Sequence, residues 1–158
     1  SLAGGGLLDV GVYTIAFAQM IFGRPPARIQ ATAEMTETGV DAQTAMLLSY
    51  DRGEQALLSC AVRLATPQEA RILGTEGSIT IPAFWHATSA ALQTYGQEPV
   101  QVQAEAGYHY EAREAGYCLR TGKQQSALMT WDDSLHLART MDEVRRQIGL
   151  CYPMERPR

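Results

Sequence analysis

A single run of strand patterns fills the middle of the sequence, and helical patterns lie on both sides of it. Apolar and polar residues alternate in RIQATAEMT, which is typical of a strand with one solvated face. QTAMLLSY and QALLSCAVRL follow as the arms of a hairpin, EARILG and SITIP form a second hairpin, and TSAALQTY and EPVQVQAE add edge strands. About five or six strands grouped in this way predict an α+β fold with a mostly antiparallel, open sheet, because a doubly wound fold alternates strands with helices.

The first of these hairpins is apolar on both of its faces. Met46 and Leu48 point to one side of its first arm, and Ala45 and Leu47 point to the other. A strand that is apolar on both sides is covered on both sides. We therefore expect helices packed on one face of the sheet and a second subunit on the other face, which is available for dimerisation.

Three segments have the spacing of amphipathic helices. Their apolar stripes are Leu8, Val12, Ile15, Gln19 and Phe22 in the first, Tyr108, Ala112, Ala115 and Leu119 in the second, and Leu137, Met141, Val144 and Ile148 in the third. Gly23, Gly122 and Gly149 follow the stripes and predict where the helices end. Thr130 and Asp133 have the spacing of a capping box at the start of the third helix.

Composition and charge exclude several classes of function. The chain has 158 residues, of which 46% are hydrophobic and 19% charged, as in a globular domain and unlike a disordered chain. The net charge is −4 and the basic residues are scattered, which argues against nucleic-acid binding. No apolar run reaches the roughly 20 residues needed to span a bilayer, so we expect no membrane partner.

The cysteines and histidines do not have the spacing of a metal site or of a disulfide framework. Cys60, Cys118 and Cys151 are far apart and form no CxxC pair. None of the three histidines has a second ligand at a suitable spacing. We therefore expect no metal, and we expect reduced thiols in a cytoplasmic protein.

The glycine run near the start of the chain resembles a dinucleotide-binding loop only in part. Such a loop needs G-x-G-x-x-G between a strand and a helix. Gly4 and Gly6 match, but Asp9 stands at the third position, where a carboxylate would repel a pyrophosphate, and no strand precedes it. The glycines are better interpreted as a crossover that lets the backbone turn sharply into a helix.

Asp9 and Tyr13 are the candidate catalytic residues. Their i, i+4 spacing brings the two side chains together on one face of a helix. In a purely structural interpretation, the Asp9 carboxylate stabilises the helix by interacting with the helix dipole, and Tyr13 is a core aromatic residue. In a functional one, the phenol exchanges a proton with a substrate oxygen, and the carboxylate holds the substrate hydroxyl or tunes the phenol.

Three stretches in the same order resemble a known family. AGGGLLDVGVYTIAFAQMIFG is similar to the opening of the C-terminal domain in Gfo/Idh/MocA oxidoreductases, in the branch of dimeric dihydrodiol dehydrogenase and glucose–fructose oxidoreductase. EARILGTEGSITIPAFW resembles a strand pair of that branch. The segment from YEAREAGY to CYPME resembles its closing helices and tail.

The resemblance implies that residues 1–158 are the C-terminal substrate and dimerisation domain of a two-domain enzyme, without its N-terminal Rossmann domain. Neither GxGxxG nor the family's Glu-Lys-Pro occurs in the sequence. The cofactor, NAD or NADP, would be bound mainly by the other domain, and none is expected in this chain. Tyr13 would be the acid/base at the substrate oxygen and Asp9 would orient the substrate or the phenol. The substrate would be a sugar, a diol or a similar CH–OH compound, and the chain alone would be inactive.

Two other hypotheses compete with this one. In the first, the chain is a stand-alone ligand-binding or scaffold domain that retained the fold without a cofactor. In the second, it is an unrelated α+β ligand-binding module in which Asp9 and Tyr13 are purely structural.

Overall fold

Two compact units make up the protein in the computed structural model, which describes residues 4–155. The first unit comprises residues 4–66 and 127–155 of this range, and the second comprises residues 67–126. The first unit contains a π-helical turn (Leu7–Gly11), α1 (Val12–Phe22), β1 (Arg28–Met35), β2 (Asp41–Ser49), β3 (Gln55–Ala61) and α3 (Trp131–Ile148). The second contains β4 (Ala70–Leu73), β5 (Gly77–Ile81), β6 (Ser89–Thr94), β7 (Val100–Gln103) and α2 (His109–Arg120). The predicted α+β class is confirmed.

The first unit is built on an antiparallel sheet in the order β1-β2-β3. The register pairs Met46 of β2 with Ala31 of β1 and Leu58 of β3, so these side chains share the inner face. That face packs against α1 and α3 in a core that contains Leu7, Ile15, Ala18, Met46, Leu48, Tyr50, Cys60, Leu137 and Val144. The prediction of helices packed on one face of a sheet is confirmed.

At the start of the first helix, the buried residue is not the one that the predicted apolar stripe contains. Leu7 is fully buried, whereas Leu8 is exposed. The cause is the π-helical turn, which carries one more residue than an α-helical turn and shifts the buried positions by one. Leu7 therefore takes the place in the core that the α-helical spacing assigned to Leu8. The end of the helix agrees with the prediction, because Gly23 has a φ of 64° and its N–H donates to the Gln19 carbonyl at 2.8 Å.

The third helix follows its predicted pattern closely. The capping box is present: the Thr130 hydroxyl accepts from the Asp133 N–H at 3.1 Å, and the Asp133 carboxylate accepts from the Thr130 N–H at 2.9 Å. Leu137 and Val144 are buried, and Gly149 ends the helix in the left-handed region with a φ of 72°. These contacts place α3 across the sheet with its apolar stripe inward.

Gln147 of α3 completes the outer edge of β1. Its Oε1 accepts from the Ala31 N–H at 2.8 Å, and its Nε2 donates to the Ile29 carbonyl at 2.9 Å. The same Nε2 also donates to Glu143 at 2.7 Å, and the pKa of that carboxyl is lowered to about 2 by its bonds to Arg146 and Gln147. One side-chain amide thus pairs two backbone groups that an edge strand would otherwise leave open.

We expect Gln147→Leu to lower the free energy of unfolding by about 1–3 kcal/mol, because it leaves two backbone groups of β1 unpaired. Urea denaturation would measure the change. Gln43→Leu is the matched control, since the Gln43 side chain donates to Glu34 on the exposed surface and, among residues 4–155, binds no backbone group. That control should stay within about 0.5 kcal/mol of the wild type. Equal effects of the two substitutions would contradict the role assigned to Gln147.

The second unit contains an antiparallel sheet in the order β4-β5-β6-β7. Ile72, Ile79, Leu92 and Val100 are paired neighbours across the four strands and lie on one face. The predicted stripe of α2 is wrong, because Tyr108, Ala112, Ala115 and Leu119 are all exposed. Cys118 is the buried residue of this helix, so the side that points inward is one position away from the predicted one.

The three cysteines are not bonded to one another in the structure. Cys60 and Cys118 are buried and Cys151 is exposed. Burial, together with the neighbouring Asp41 carboxylate, raises the pKa of the Cys60 thiol to about 11, so this thiol is protonated at neutral pH. Within residues 4–155, no cluster of His, Cys, Asp or Glu is arranged to hold a metal ion. No helix in this range is long and apolar enough to cross a membrane.

Candidate active site

Asp9 and Tyr13 both lie on the exposed side of the first helical segment. Asp9 is in the π-helical turn and Tyr13 is the second residue of α1. Asp9 is exposed, and Tyr13 keeps 46% of its surface accessible. Among residues 4–155, neither side chain has a hydrogen-bond partner, so both polar ends are open to a ligand. Tyr13 is therefore not a buried core aromatic residue, and its role in proton transfer stays a prediction.

The π-helical turn determines which residues accompany this pair. Leu7 and Gly11 face the core, and this leaves Leu8 and Asp9 on the outside. Gly11 is required on the inner side, because a Cβ there would lie 2.9 Å from the Cys60 sulfur. The first helix can thus sit close to β3 while it presents a carboxylate and a phenol outward.

Asp41, at the start of β2, holds the beginning of this helix. Its side chain is fully buried, and its Oδ2 accepts from the Leu7 N–H and from the Thr44 hydroxyl, each at 2.7 Å. The first N–H groups of a helix have no partner within the helix, and a carboxylate there also interacts favourably with the helix dipole. Asp41 therefore caps the helix that carries Asp9 and Tyr13, although it comes from a different part of the chain.

The glycines before the helix pack directly on this carboxylate. Gly5 has a φ of 107°, and a Cβ at this position would overlap Asp41 Oδ1. A Cβ on Gly6 would lie 3.2 Å from Asp41 Oδ2. The Asp41 carboxylate thus occupies the space next to Gly5 and Gly6, where it would repel a pyrophosphate. The glycine run does not fit a dinucleotide, and its interpretation as a sharp crossover agrees with these contacts.

Tyr152 holds the other end of the crossover. Its hydroxyl donates to the Gly4 carbonyl at 2.6 Å, and the Arg145 guanidinium lies 5.2 Å from the centre of its ring. Burial raises the pKa of Tyr152, so the phenol remains protonated and keeps donating this bond at neutral pH.

Neither Asp41 nor Tyr152 was found by sequence reasoning. Asp41 comes two residues after Gly39, which has a φ of 81°, and an Asp beside a turn usually belongs to the surface. Tyr152 follows the last long helix in a segment with no periodicity. Both residues act through contacts over 34 and 148 positions of sequence, for which no local pattern exists.

Comparison with known proteins identifies the family. The family model for the GFO/IDH/MocA C-terminal domain matches residues 1–80, which include Asp9, Tyr13 and Asp41. The chain belongs to the GFO/IDH/MocA family. The resemblance inferred from the sequence motifs is therefore confirmed.

Curated relatives in this family are dehydrogenases. The chain is 37% identical to trans-1,2-dihydrobenzene-1,2-diol dehydrogenase of Danio rerio over 98% of its own length and 49% of that protein. It is 31% identical to the Homo sapiens enzyme of the same name, with the same coverage of each chain. The chain thus spans about half the length of the curated relatives it matches.

Two solved structures of oxidoreductases share the fold. One is KijD10, a 3-ketoreductase from Actinomadura kijaniata in complex with TDP-benzene and NADP, with a TM-score of 0.78, 21% identity, and coverage of 93% of this chain and 48% of that one. Another is UDP-N-acetylglucosamine 3-dehydrogenase from Acidithiobacillus ferrooxidans, with a TM-score of 0.75, 13% identity, and coverage of 90% and 48%. At these identities the likeness establishes the fold.

Proposed function

We propose that residues 1–158 are the substrate-binding C-terminal domain of an NAD(P)-dependent oxidoreductase that acts on a sugar, a diol or a similar CH–OH compound. The observation that carries this proposal is the exposed phenol of Tyr13, four residues after the exposed Asp9, on a helix whose start is capped by a buried carboxylate, in a chain of the GFO/IDH/MocA family. An acid/base group has to reach solvent and substrate, whereas its support has to be rigid.

In this proposal Tyr13 exchanges a proton with the oxygen at the reacting carbon. During oxidation the phenolate oxygen takes the proton of the substrate hydroxyl, and during reduction the phenol returns it to the carbonyl oxygen. Asp9, one helical turn away, accepts a hydrogen bond from a substrate hydroxyl and so orients the carbinol carbon. The nicotinamide, bound outside this chain, supplies the hydride chemistry.

A phenol needs a neighbouring cation to act near neutral pH, because its ordinary pKa is about 10. Lys123 is the single lysine of the sequence, and its ammonium lies 4.7 Å from the Tyr117 ring centre in the second unit. We therefore infer that the lysine that assists Tyr13 comes from the nucleotide-binding domain of the intact protein. The chain by itself is expected to be inactive.

The names of the relatives narrow the substrate class. The curated relatives are dehydrogenases of a trans-dihydrodiol, and the structural neighbours are a 3-ketoreductase and a nucleotide-sugar 3-dehydrogenase. All three names indicate a CH–OH group or the corresponding ketone as the reacting group. Vicinal diols and sugars are therefore the first substrates to test.

The experiment is a turnover assay of the intact protein with NAD⁺ and with NADP⁺, over a panel of trans-dihydrodiols and aldoses. We expect reduction of one nucleotide that depends on the diol or sugar, detected by nicotinamide absorbance. Simple monoalcohols serve as controls that lack the second hydroxyl for Asp9. Ligand binding without any turnover on either nucleotide would contradict the proposal and favour a stand-alone binding or scaffold domain.

We also infer a homodimer through the outer face of the β1-β2-β3 sheet. This face, opposite to α1 and α3, forms a shallow depression of small and apolar side chains that includes Ala45, Leu47 and Leu57. Leu57 is 83% exposed although it lies in the middle of a strand. A second copy of the chain would cover it.

Leu57→Glu is expected to convert the dimer into a monomer, because it places two charges in the subunit interface. Size-exclusion chromatography with light scattering measures the mass. Leu119→Glu is the control, since Leu119 is similarly exposed, at 81%, but belongs to α2 of the second unit and not to the sheet. A wild-type monomer at micromolar concentration would overturn the inference.

Three unpaired cysteines support a reducing compartment, and we propose a cytoplasmic location for the intact protein.

A further inference from the structure

The short segment of residues 4–7 is held at both ends by side chains from distant parts of the chain. At its first residue, the Gly4 carbonyl accepts from the Tyr152 hydroxyl at 2.6 Å. At its last residue, the Leu7 N–H donates to the Asp41 carboxylate at 2.7 Å. The two glycines at its start have φ values of 143° and 107°, so the segment itself has little conformational preference. Its path is set by these two contacts.

At the Asp41 end the contact is buried. The side chain has no solvent exposure, and its Oδ2 is shared by the Leu7 N–H and the Thr44 hydroxyl. Among residues 4–155, Oδ1 has no hydrogen-bond donor and faces the Cα of Gly5. A buried carboxylate is costly unless it is paired, and the Leu7 N–H is one of the two donors that Asp41 has for this purpose.

The Tyr152 end is held in place by its own neighbours. Tyr152 is 6% exposed, and the Arg145 guanidinium stacks on its ring. Arg145 is in turn paired with Asp142 at 3.2 Å and with Glu155, and Glu155 accepts from the Tyr152 N–H at 2.9 Å. These contacts, none of which involves residues 4–7, help to orient the phenol toward Gly4.

We propose that Asp41 and Tyr152 are positioning residues, which hold residues 4–7 at both ends and thereby fix where the following turn presents Asp9 and Tyr13. The proposal rests on the function proposed above. Neither residue touches the reacting atoms. Tyr13 lies only six residues beyond Leu7, and the intervening π-helical turn transmits any shift of the segment directly to it. A displacement of about 1 Å at a reacting group costs up to about 100-fold in rate.

The test is Tyr152→Phe in the intact protein, which removes one oxygen and keeps the ring stacked on Arg145. We expect kcat to fall about ten-fold, with a smaller change in KM for the diol or sugar. Hydrogen–deuterium exchange of the peptide that covers residues 4–13 should accelerate, while β2 and α3 keep their protection. Thr44→Val, which removes a donor to Asp41, should change the same peptide and lower kcat in the same direction.

A double substitution separates positioning from general stability. If Tyr152 acts through Tyr13, Tyr152→Phe should have no further effect on kcat in a Tyr13→Phe background. Tyr50→Phe is the control: Tyr50 is a buried tyrosine of the same unit, packed on Phe22 with ring centres 4.2 Å apart. It should leave kcat and the exchange of residues 4–13 unchanged.

The possible failures are distinguishable. An active wild type whose kcat is no lower in Tyr152→Phe than in Tyr50→Phe would overturn the positioning role alone. Exchange that accelerates equally across the first unit would also overturn it. An intact wild-type protein without oxidoreductase turnover would overturn the proposed function, and the positioning role would fall with it.

Discussion

Tyr13→Phe in the intact protein should lower kcat by about 100- to 10,000-fold, the range that loss of a general acid/base produces. The substitution removes only the hydroxyl. Tyr13 is 46% exposed, and its hydroxyl has no partner among residues 4–155, so the folded state loses no hydrogen bond there. The free energy of unfolding should therefore change by less than about 0.5 kcal/mol.

Steady-state kinetics and thermal unfolding measured on the same preparations would check this expectation. Tyr117→Phe is the matched control, because Tyr117 has a similar exposure of 44%. Its hydroxyl accepts from Lys123 at 3.3 Å on the surface of the second unit, and turnover should not depend on it. Asp9→Asn should have a smaller effect than Tyr13→Phe and should mainly raise KM, since Asp9 orients the substrate in the proposal. Unchanged turnover in Tyr13→Phe would show that the phenol is structural.

Gly5→Ala should destabilise the fold by about 2–6 kcal/mol. Left-handed backbone strain contributes about 1–3 kcal/mol, and overlap in a packed site contributes about 1–3 kcal/mol. Gly5 has a φ of 107°, and a Cβ there would collide with Asp41 Oδ1. The carboxylate cannot move away easily, because its other oxygen is bonded to Leu7 and Thr44.

Gly4→Ala separates the two contributions. Gly4 also has a positive φ, 143°, but a Cβ there would meet no atom within 4 Å. We expect this variant to lose about 1–3 kcal/mol, the backbone strain alone. Chemical denaturation of both variants gives the difference. If Gly5→Ala is no less stable than Gly4→Ala, close packing against Asp41 is not the reason why position 5 requires glycine.

Periodicity predicted most of the fold, because hydrophobic spacing reports directly on which face of an element is buried. The hairpin of β2 and β3, the inward stripe of α3 and its capping box all follow from residues that are close together in the sequence. The strand patterns predict one sheet, but the strands form two, of three and four strands. The errors in the helix stripes have local causes. The π-helical turn inserts one residue and exchanges Leu8 for Leu7 in the core, and α2 lies with Cys118 inward where the spacing favoured Leu119.

The candidate site could be predicted only in part. Asp9 and Tyr13 are recognisable because a carboxylate and a phenol four residues apart stand out in an apolar helix. Asp41 and Tyr152 could not be found in this way, since their partners lie 34 and 148 residues away. Their importance comes from burial and from hydrogen-bond geometry, which a single sequence does not display.

The π-helical turn also has a consequence for comparing distant relatives. One residue of an α-helix corresponds to about 100° of rotation. A homologue that lacks the extra residue of Leu7–Gly11 would turn its leading glycines by that angle relative to the phenol, or would need a compensating gap between them. Alignments of this region should therefore be anchored on Tyr13, with the gap allowed before it. Deleting one residue from the π-helical turn would rotate the glycines about the helix axis in addition to shortening the segment.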